Sequence, residues 1–413
     1  MKDYHRRKNC RLCGSTSLEL VLSLRPTPPA NELRSASETG KEQEKFPLDI
    51  FFCNDCHHCQ LLDVVSPERL FQNYVYVSGT SPVFVKHFQN YASDVLKKYN
   101  LSPGGFVVDV GSNDGTLLQF FKQAGYRVLG IDPAVDISET ANENGIPTLT
   151  DFFSPALAER IVKDHGSANV IVANNVFAHI DDLKSIVDGI KILLDPEGIF
   201  VFEVSYLLDV VEKTLFDTIY HEHLCYHSVG PLKRFFEKNG MELIDTMRVS
   251  SHGGSLRAVA KLQNSSRIAA PSVEQLINLE KKLGLDKAST FKKFGDDIQK
   301  VGHELKSILA SLKNEGKKVA GYGFPAKATT LMHHFEIGPE LIDFVIDDNP
   351  LKQGLYTPGL NIPVVSSAVL KEQKVDYLLI LAWNFAQPIM EKLKDFKQDG
   401  GHFIVPLPKV EVI

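Results

Sequence analysis

From Gly105 onward, short and nearly unbroken apolar runs alternate with stretches whose apolar positions recur at helical spacing. Gly105-Phe106-Val107-Val108-Asp109-Val110 reads as a buried strand, Thr116 to Ala124 as a helix, and Tyr126 to Asp132 as the next strand. Val170 to Ala173 and Ile199 to Glu203 continue the series, each between helical stretches. Strands that are apolar on both faces, with helices between them, predict a doubly wound parallel sheet. A smaller series follows. It runs Lys318 to Gly323 (strand), Ala326 to Phe335 (helix), Leu341 to Ile346 (strand), Val375 to Ala382 (strand), Gln387 to Phe396 (helix) and His402 to Val405 (strand). Residues 67–100 carry apolar positions at helical spacing, including Val83, Phe84, Phe88, Tyr91, Val95 and Leu96. Residues 268–316 are helical and rich in lysine and aspartate, which reads as a connector with a solvated face.

Ahead of this alternation the cysteines set a different kind of structure. Five of the six lie in the first sixty residues. Cys10-x-x-Cys13 and Cys53-x-x-Cys56 form two knuckles 39 residues apart. Two tight turns of this type close a tetrahedral four-thiolate site, so a structural zinc ion is expected on Cys10, Cys13, Cys53 and Cys56. A pair of redox dithiols is the alternative, disfavoured in a reducing compartment. Cys59, His57 and His58 are left out of the expected ligand set. Arg34 to Lys45, between the knuckles, reads as an exposed loop.

Composition narrows the class. Lys+Arg number 45 against Asp+Glu 51, a formal charge of −6. That balance argues against nucleic acid as the main partner, since phosphate binding needs a basic face. No apolar run approaches the roughly 18 residues of a membrane span. The start, MKDYHRRKNC, is basic with no apolar core behind it, so it does not read as a signal peptide, and a cytoplasmic location is expected. A monomer is the default expectation.

The turn Asp109-Val110-Gly111-Ser112-Asn113-Asp114-Gly115-Thr116 leaves a strand and opens a helix. There the backbone can approach a ligand closely and the helix offers free N–H groups. Asp132, with Pro133 after it, ends the next strand and suits two ribose hydroxyls. A dinucleotide turn would carry G-x-G-x-x-G. This one has Gly111 and Gly115, with an acid two before the first. An acid repels a pyrophosphate and suits the cationic end of S-adenosylmethionine, which is the expected cofactor over NAD. The candidate contacts are Asp109, Gly111, Asn113, Asp114, Gly115, Asp132 and Pro133. Phe153 is placed beside the adenine, and Asn174 and Asn175 at the end of the Val170–Ala173 strand. The run Tyr74 to Ser81, with Tyr76 and Ser78, reads as a loop over the ligand.

After the Ile199–Glu203 strand, Tyr220-His221-Glu222-His223-Leu224-Cys225-Tyr226-His227 crowds three histidines, a glutamate and two tyrosines into eight positions. His-x-His with Glu could ligate a metal, but lacks the helical His-x-x-x-His spacing. His221 and His227 read as satisfied core histidines. His223 is the better base: an imidazole titrates near neutrality, and the adjacent Glu222 could orient or polarise it.

The chain as a whole resembles the sugar C-methyltransferases that act on nucleotide-activated 4-keto-deoxyhexoses. The resemblance is carried by Cys10-Arg11-x-Cys13-Gly14, Pro28-Pro29-Ala30-Asn31, Cys53-x-x-Cys56, Tyr74-x-Tyr76-x-Ser78-Gly79, and the Asp109 to Gly115 turn. It continues in Asn174-Asn175-x-x-Ala178-His179, Tyr220 to His223, Gly253-Gly254-Ser255-Leu256-Arg257 and Gly321-Tyr322-Gly323. His58 and Cys59 depart from the pattern. The resemblance implies an α/β protein of three parts: a zinc domain (1–68), a doubly wound Rossmann-like methyltransferase domain (69–265), and a connector with a C-terminal Rossmann-like domain (266–413). It also implies a TDP- or GDP-linked 4-keto-6-deoxyhexose as substrate. His223 takes the C3 proton, with Tyr220, Glu222, His179 and Tyr76 in the same pocket, and the enolate carbon receives the methyl group. Tyr220 or His179 is expected to hold the enolate oxygen.

The second turn, Gly321-Tyr322-Gly323-Phe324-Pro325-Ala326-Lys327, could hold a nucleotide sugar's diphosphate, NAD, or nothing. The first is favoured, with Tyr322, Gly323, Ala326, Lys327, Asp347 and Asn384 as candidate contacts. Arg257 could neutralise a phosphate or serve an internal ion pair. Competing readings are an O- or N-methyltransferase on the same sugar, an RNA-modifying protein using the zinc knuckles, and a dehydrogenase using the second turn.

Overall fold

The computed structural model describes residues 3–71, 79, 82–101 and 103–413, and among these the strands form four sheets. The central sheet comprises β1 (Phe106–Val110), β2 (Arg127–Asp132), β3 (Thr148–Thr150), β4 (Ala168–Asn174), β5 (Leu194–Ser205), β6 (Met241–Val249) and β7 (Ser255–Leu262). Their order is β6-β7-β5-β4-β1-β2-β3. The first five are parallel, and β7 runs antiparallel to both β5 and β6. Val107, Val108, Val170, Ile171, Val172, Ile199, Phe200, Val201 and Phe202 are all buried, because helices cover both faces. The chain reverses its lateral direction between β1 and β4, and a crevice opens beyond the strand ends there.

The C-terminal sheet has the order Val364–Val365, Val345–Ile346, Val319–Tyr322, Tyr377–Ile380, His402–Val405, Glu411–Val412, parallel except for the last pair. The connector is two helices, Ser272–Leu283 and Ala288–Asn314. Gly284, at φ 78°, ends the first in the left-handed conformation that glycine adopts without steric penalty.

The N-terminal sheet is completed by a strand from the histidine-rich segment. Cys225–Tyr226 pairs antiparallel with Cys59–Leu61, which pairs with Phe46–Cys53 and so with Leu18–Thr27. The helix Ala326–His334 of the C-terminal part binds the other two parts: Thr329 Oγ1 donates to Ala30 O at 3.0 Å and Thr330 Oγ1 to Ile219 O at 2.7 Å. Among the described residues no helix is long and apolar enough to cross a membrane.

Candidate active site

A cavity of about 630 Å³ lies beyond the carboxyl ends of β1, β4 and β5, walled by residues from all three parts of the chain. On its β1 side the turn is tight. Gly111 is at φ 75°, and a Cβ there would stand 2.3 Å from Val176 Cγ2, so only glycine fits. Asp132 is fixed by two backbone donors, Asn113 N at 2.9 Å to Oδ2 and Ala134 N at 3.0 Å to Oδ1. Asp109 is buried at the cavity floor, and its Oδ1 has no hydrogen-bond partner among the described residues. Desolvation, and secondly the charge of Asp132, pushes the Asp109 carboxyl well above its ordinary value. Such a floor favours a cationic ligand.

Pro133, Phe153, Asn174 and Asn175 join Gly111 and Asn113 in the cavity wall. Asp114 and Gly115, expected as cofactor contacts, do not line it. The Asp114 carboxylate accepts from Thr116 Oγ1 at 2.7 Å and from Gly79 N at 2.8 Å, so it braces the turn and joins it to Gly79. Gly115, at φ 77°, packs against Ile146. Tyr76 and Ser78 lie outside the described residues.

His223 donates from Nδ1 to Thr218 O at 2.7 Å, which leaves Nε2 as the lone-pair nitrogen, 3.0 Å from the Tyr220 hydroxyl. Burial keeps the ring neutral, its pKa lowered to about 4. His179 lies between Phe71, ring centroids 5.6 Å apart, and His223, 5.0 Å apart. Its Nε2 has no partner among the described residues. The expected pairing of Glu222 with His223 is corrected: the orienting acceptor is the Thr218 carbonyl. Glu222 instead accepts from Asn31 Nδ2 at 2.7 Å. His221 and His227 are core residues, hydrogen-bonded to Phe46 O at 3.2 Å and Phe177 O at 3.3 Å.

Across the cavity stand Ala326, Lys327 and Asn384. The Lys327 ammonium sits 3.6 Å from the centroid of Trp383, whose Nε1 donates to buried Asp217 at 2.6 Å. Burial lowers its pKa to about 8. Tyr322, Gly323 and Asp347 lie behind this wall. Tyr322 donates to Asp348 at 3.0 Å, Gly323 packs on Ala382, and Asp347 accepts from Phe324 N at 2.6 Å. Arg257 does not reach the cavity. It is buried, paired with Glu203 at 3.0 Å and stacked on Tyr91, so of its two expected roles it takes the internal ion pair.

The ligand atoms of Cys10, Cys13, Cys53 and Cys56 all lie within 4.8 Å of one another, with Cys10–Cys56 and Cys13–Cys53 sulfurs at 3.5 Å. Four thiolates at a zinc–sulfur bond of about 2.3 Å would be about 3.8 Å apart, so the cluster fits that ion. Cys59 is buried within its strand and His58 stacks on His227, both outside the cluster.

Three family models match in succession: a zinc binding domain over residues 10–71, a methyltransferase domain over 84–246, and a C-methyltransferase C-terminal domain over 250–408. The C-methyltransferase NovU of Streptomyces niveus is 35% identical over 98% of this chain and 96% of its own. This chain belongs to the same C-methyltransferase family. A ubiquinone biosynthesis O-methyltransferase of Haemophilus ducreyi is 29% identical over 27% of the chain and 48% of its own length. Among solved structures, the magnesium protoporphyrin IX methyltransferase of Synechocystis PCC 6803 with bound SAM covers 43% of this chain and 80% of that one. The identity is 16% and the TM-score 0.33.

In this C-methyltransferase each matched part sends residues to the cavity: Asn31 from the first, Gly111 and His223 from the second, His252 and Lys327 from the third. Asn31 and His252 were not among the expected site residues. His252 stands at φ 53°, its Nε2 3.4 Å from Asn175 Nδ2. A histidine ahead of two glycines was the available signal for it.

Proposed function

We propose that this C-methyltransferase is S-adenosylmethionine-dependent and methylates C3 of a nucleotide-activated 4-keto-6-deoxyhexose. The observation that carries the reading is the neutral Nε2 of His223, held by Thr218 and facing the same cavity as the acidic turn. A ring carbon becomes nucleophilic only after losing its proton, so carbon methylation needs a base and a donor to the oxygen that gains charge. His223 Nε2 removes the proton made acidic by the C4 ketone. The Tyr220 hydroxyl turns from Nε2 to the ketone oxygen, and His179 is the second candidate partner. Bound S-adenosylmethionine supplies an activated methyl group to that carbon. Asp132 would hold the ribose of that cofactor, Asp109 would face its cationic end, and Phe153 would flank the adenine. Lys327, with Asn384 beside it, meets the substrate's diphosphate. Cys10, Cys13, Cys53 and Cys56 would hold a zinc ion, which cross-links the two knuckles and takes no part in the reaction.

The test is a panel of 4-keto-6-deoxy nucleotide sugars incubated with the protein and S-adenosylmethionine, scored by mass and by NMR. One added methyl on C3, and C3 deuterium exchange in heavy water without the methyl donor, are expected. A methyl on oxygen or nitrogen would refute the carbon reading. A methyl on C5, the other carbon acidified by the ketone, would refute the position.

A further inference from the structure

Asn31 belongs to the N-terminal part, in the run Pro28-Pro29-Ala30-Asn31, yet it lines the cavity together with His223 and Tyr220. Two contacts from other parts of the chain hold it there. Thr329, two residues along the helix from Lys327, donates to the carbonyl of Ala30 at 3.0 Å. Glu222, only 2% exposed, accepts from Asn31 Nδ2 at 2.7 Å. Burial raises the Glu222 pKa to about 7, so above pH 7 its carboxylate is ionised, can only accept, and draws the NH₂ end of the amide to itself. The carbonyl end, Oδ1, is left as an acceptor at the cavity. The neighbouring Tyr220 offers a donor and His223 a lone pair reserved for the C–H proton. A ketone oxygen carries no hydrogen and is not received by Oδ1, whereas a hydroxyl or amino group is.

We propose that Asn31 determines acceptor specificity: its Oδ1 accepts a hydrogen bond from a hydroxyl or amino substituent at C3 of the sugar, and Glu222 is the positioning residue that fixes the amide. This rests on the nucleotide-sugar reading above. It gives the zinc-knuckle part a direct role in choosing the substrate. With the ketone at Tyr220 and the C3 substituent at Asn31, the ring can enter in one orientation only.

The test compares a matched pair of 4-keto nucleotide sugars, 3-hydroxy and 3-deoxy, by calorimetric Kd on the full-length protein saturated with S-adenosylhomocysteine. The wild type should prefer the hydroxylated sugar by about tenfold, the range for one hydrogen bond left unmade at a buried site. Asn31→Ala should bring that ratio to about one by weakening the hydroxylated sugar alone. Glu222→Gln, whose carbonyl can still accept from Asn31, should keep the ratio, and Glu222→Leu should lose it. A ratio unchanged in Asn31→Ala, equal weakening of both sugars, or a wild type without preference would overturn the proposal. The measurement needs no turnover. A methyl found on oxygen would therefore defeat the functional reading while the binding ratio still judged Asn31. A wild type that binds neither sugar would defeat both.

Discussion

At the end of β1 and at the end of Val319–Tyr322 the chain makes nearly the same local construction. Gly111 N donates to Ile131 O, and Gly323 N to Ile346 O, each at 2.7 Å. Beyond each glycine an aspartate from the adjacent strand accepts from a turn N–H: Asp132 from Asn113, Asp347 from Phe324. The mouths differ. The first turn exposes Asp109 and Asp132 to the cavity, with no basic side chain within salt-bridge distance of either among the described residues. At the second, Lys352 lies 3.8 Å from Asp347 and donates to Phe324 O at 2.7 Å, closing the aspartate off. What the second turn offers the cavity is instead the start of its helix, with Lys327. Under the proposed function, one backbone device would serve two opposite ligands. An acidic mouth suits a cationic methyl donor and a cationic mouth an anionic sugar, and each repels the other's ligand.

The sharpest break in that comparison is to remove what stands between the mouths. His223→Gln keeps polarity but cannot take a carbon-bound proton. It should lower kcat by about a thousandfold, the middle of the range for general-base catalysis, with both ligand affinities unchanged. A fall of less than tenfold would place the base elsewhere. Next comes a crossed pair measured by calorimetry. Asp132→Asn should weaken S-adenosylmethionine by about tenfold and leave the sugar nucleotide alone, and Lys327→Met should do the reverse by about the same factor. If both variants weaken the same ligand, the two turns do not divide the work.

Much of this was legible in the sequence, because it rests on local patterns. Apolar runs with no polar face mark strands covered on both sides, and the knuckle spacing marks the four thiolates. The unread parts depend on contacts between distant positions. Cys225–Tyr226 is a two-residue strand, too short to show alternation, and pairs with residues far upstream. Trp383 and Asp217 meet across 166 positions, Asn31 and Glu222 across 191. Glu222 and His223 were read together because they are neighbours. In an irregular segment no helical or strand period fixes where side chains point, and here one turns to Asn31 while the other turns to Thr218.

The smallest expected effect is also the one that only the difference between the mouths can produce. Burial lowers Lys327 to about 8, below the ordinary lysine value, because its ammonium is desolvated and the charge of Asp217 only partly offsets the loss. An anion bound at Lys327 favours the protonated form and raises the pKa again. Well below pH 8 the free protein already carries the proton, so sugar-nucleotide affinity should be flat with pH there. Above pH 8 binding must take up a proton, and affinity should fall towards tenfold per pH unit. Between pH 7 and pH 8 the change is only about twofold, as the protonated fraction drops to one half. Calorimetry in two buffers of different ionisation enthalpy would read the proton uptake directly at pH 8.5. Lys327→Met should abolish it, and S-adenosylmethionine binding at the other mouth should show none of this uptake in either protein. Uptake that persists in Lys327→Met would assign it to a different group and remove the electrostatic contrast between the two turns.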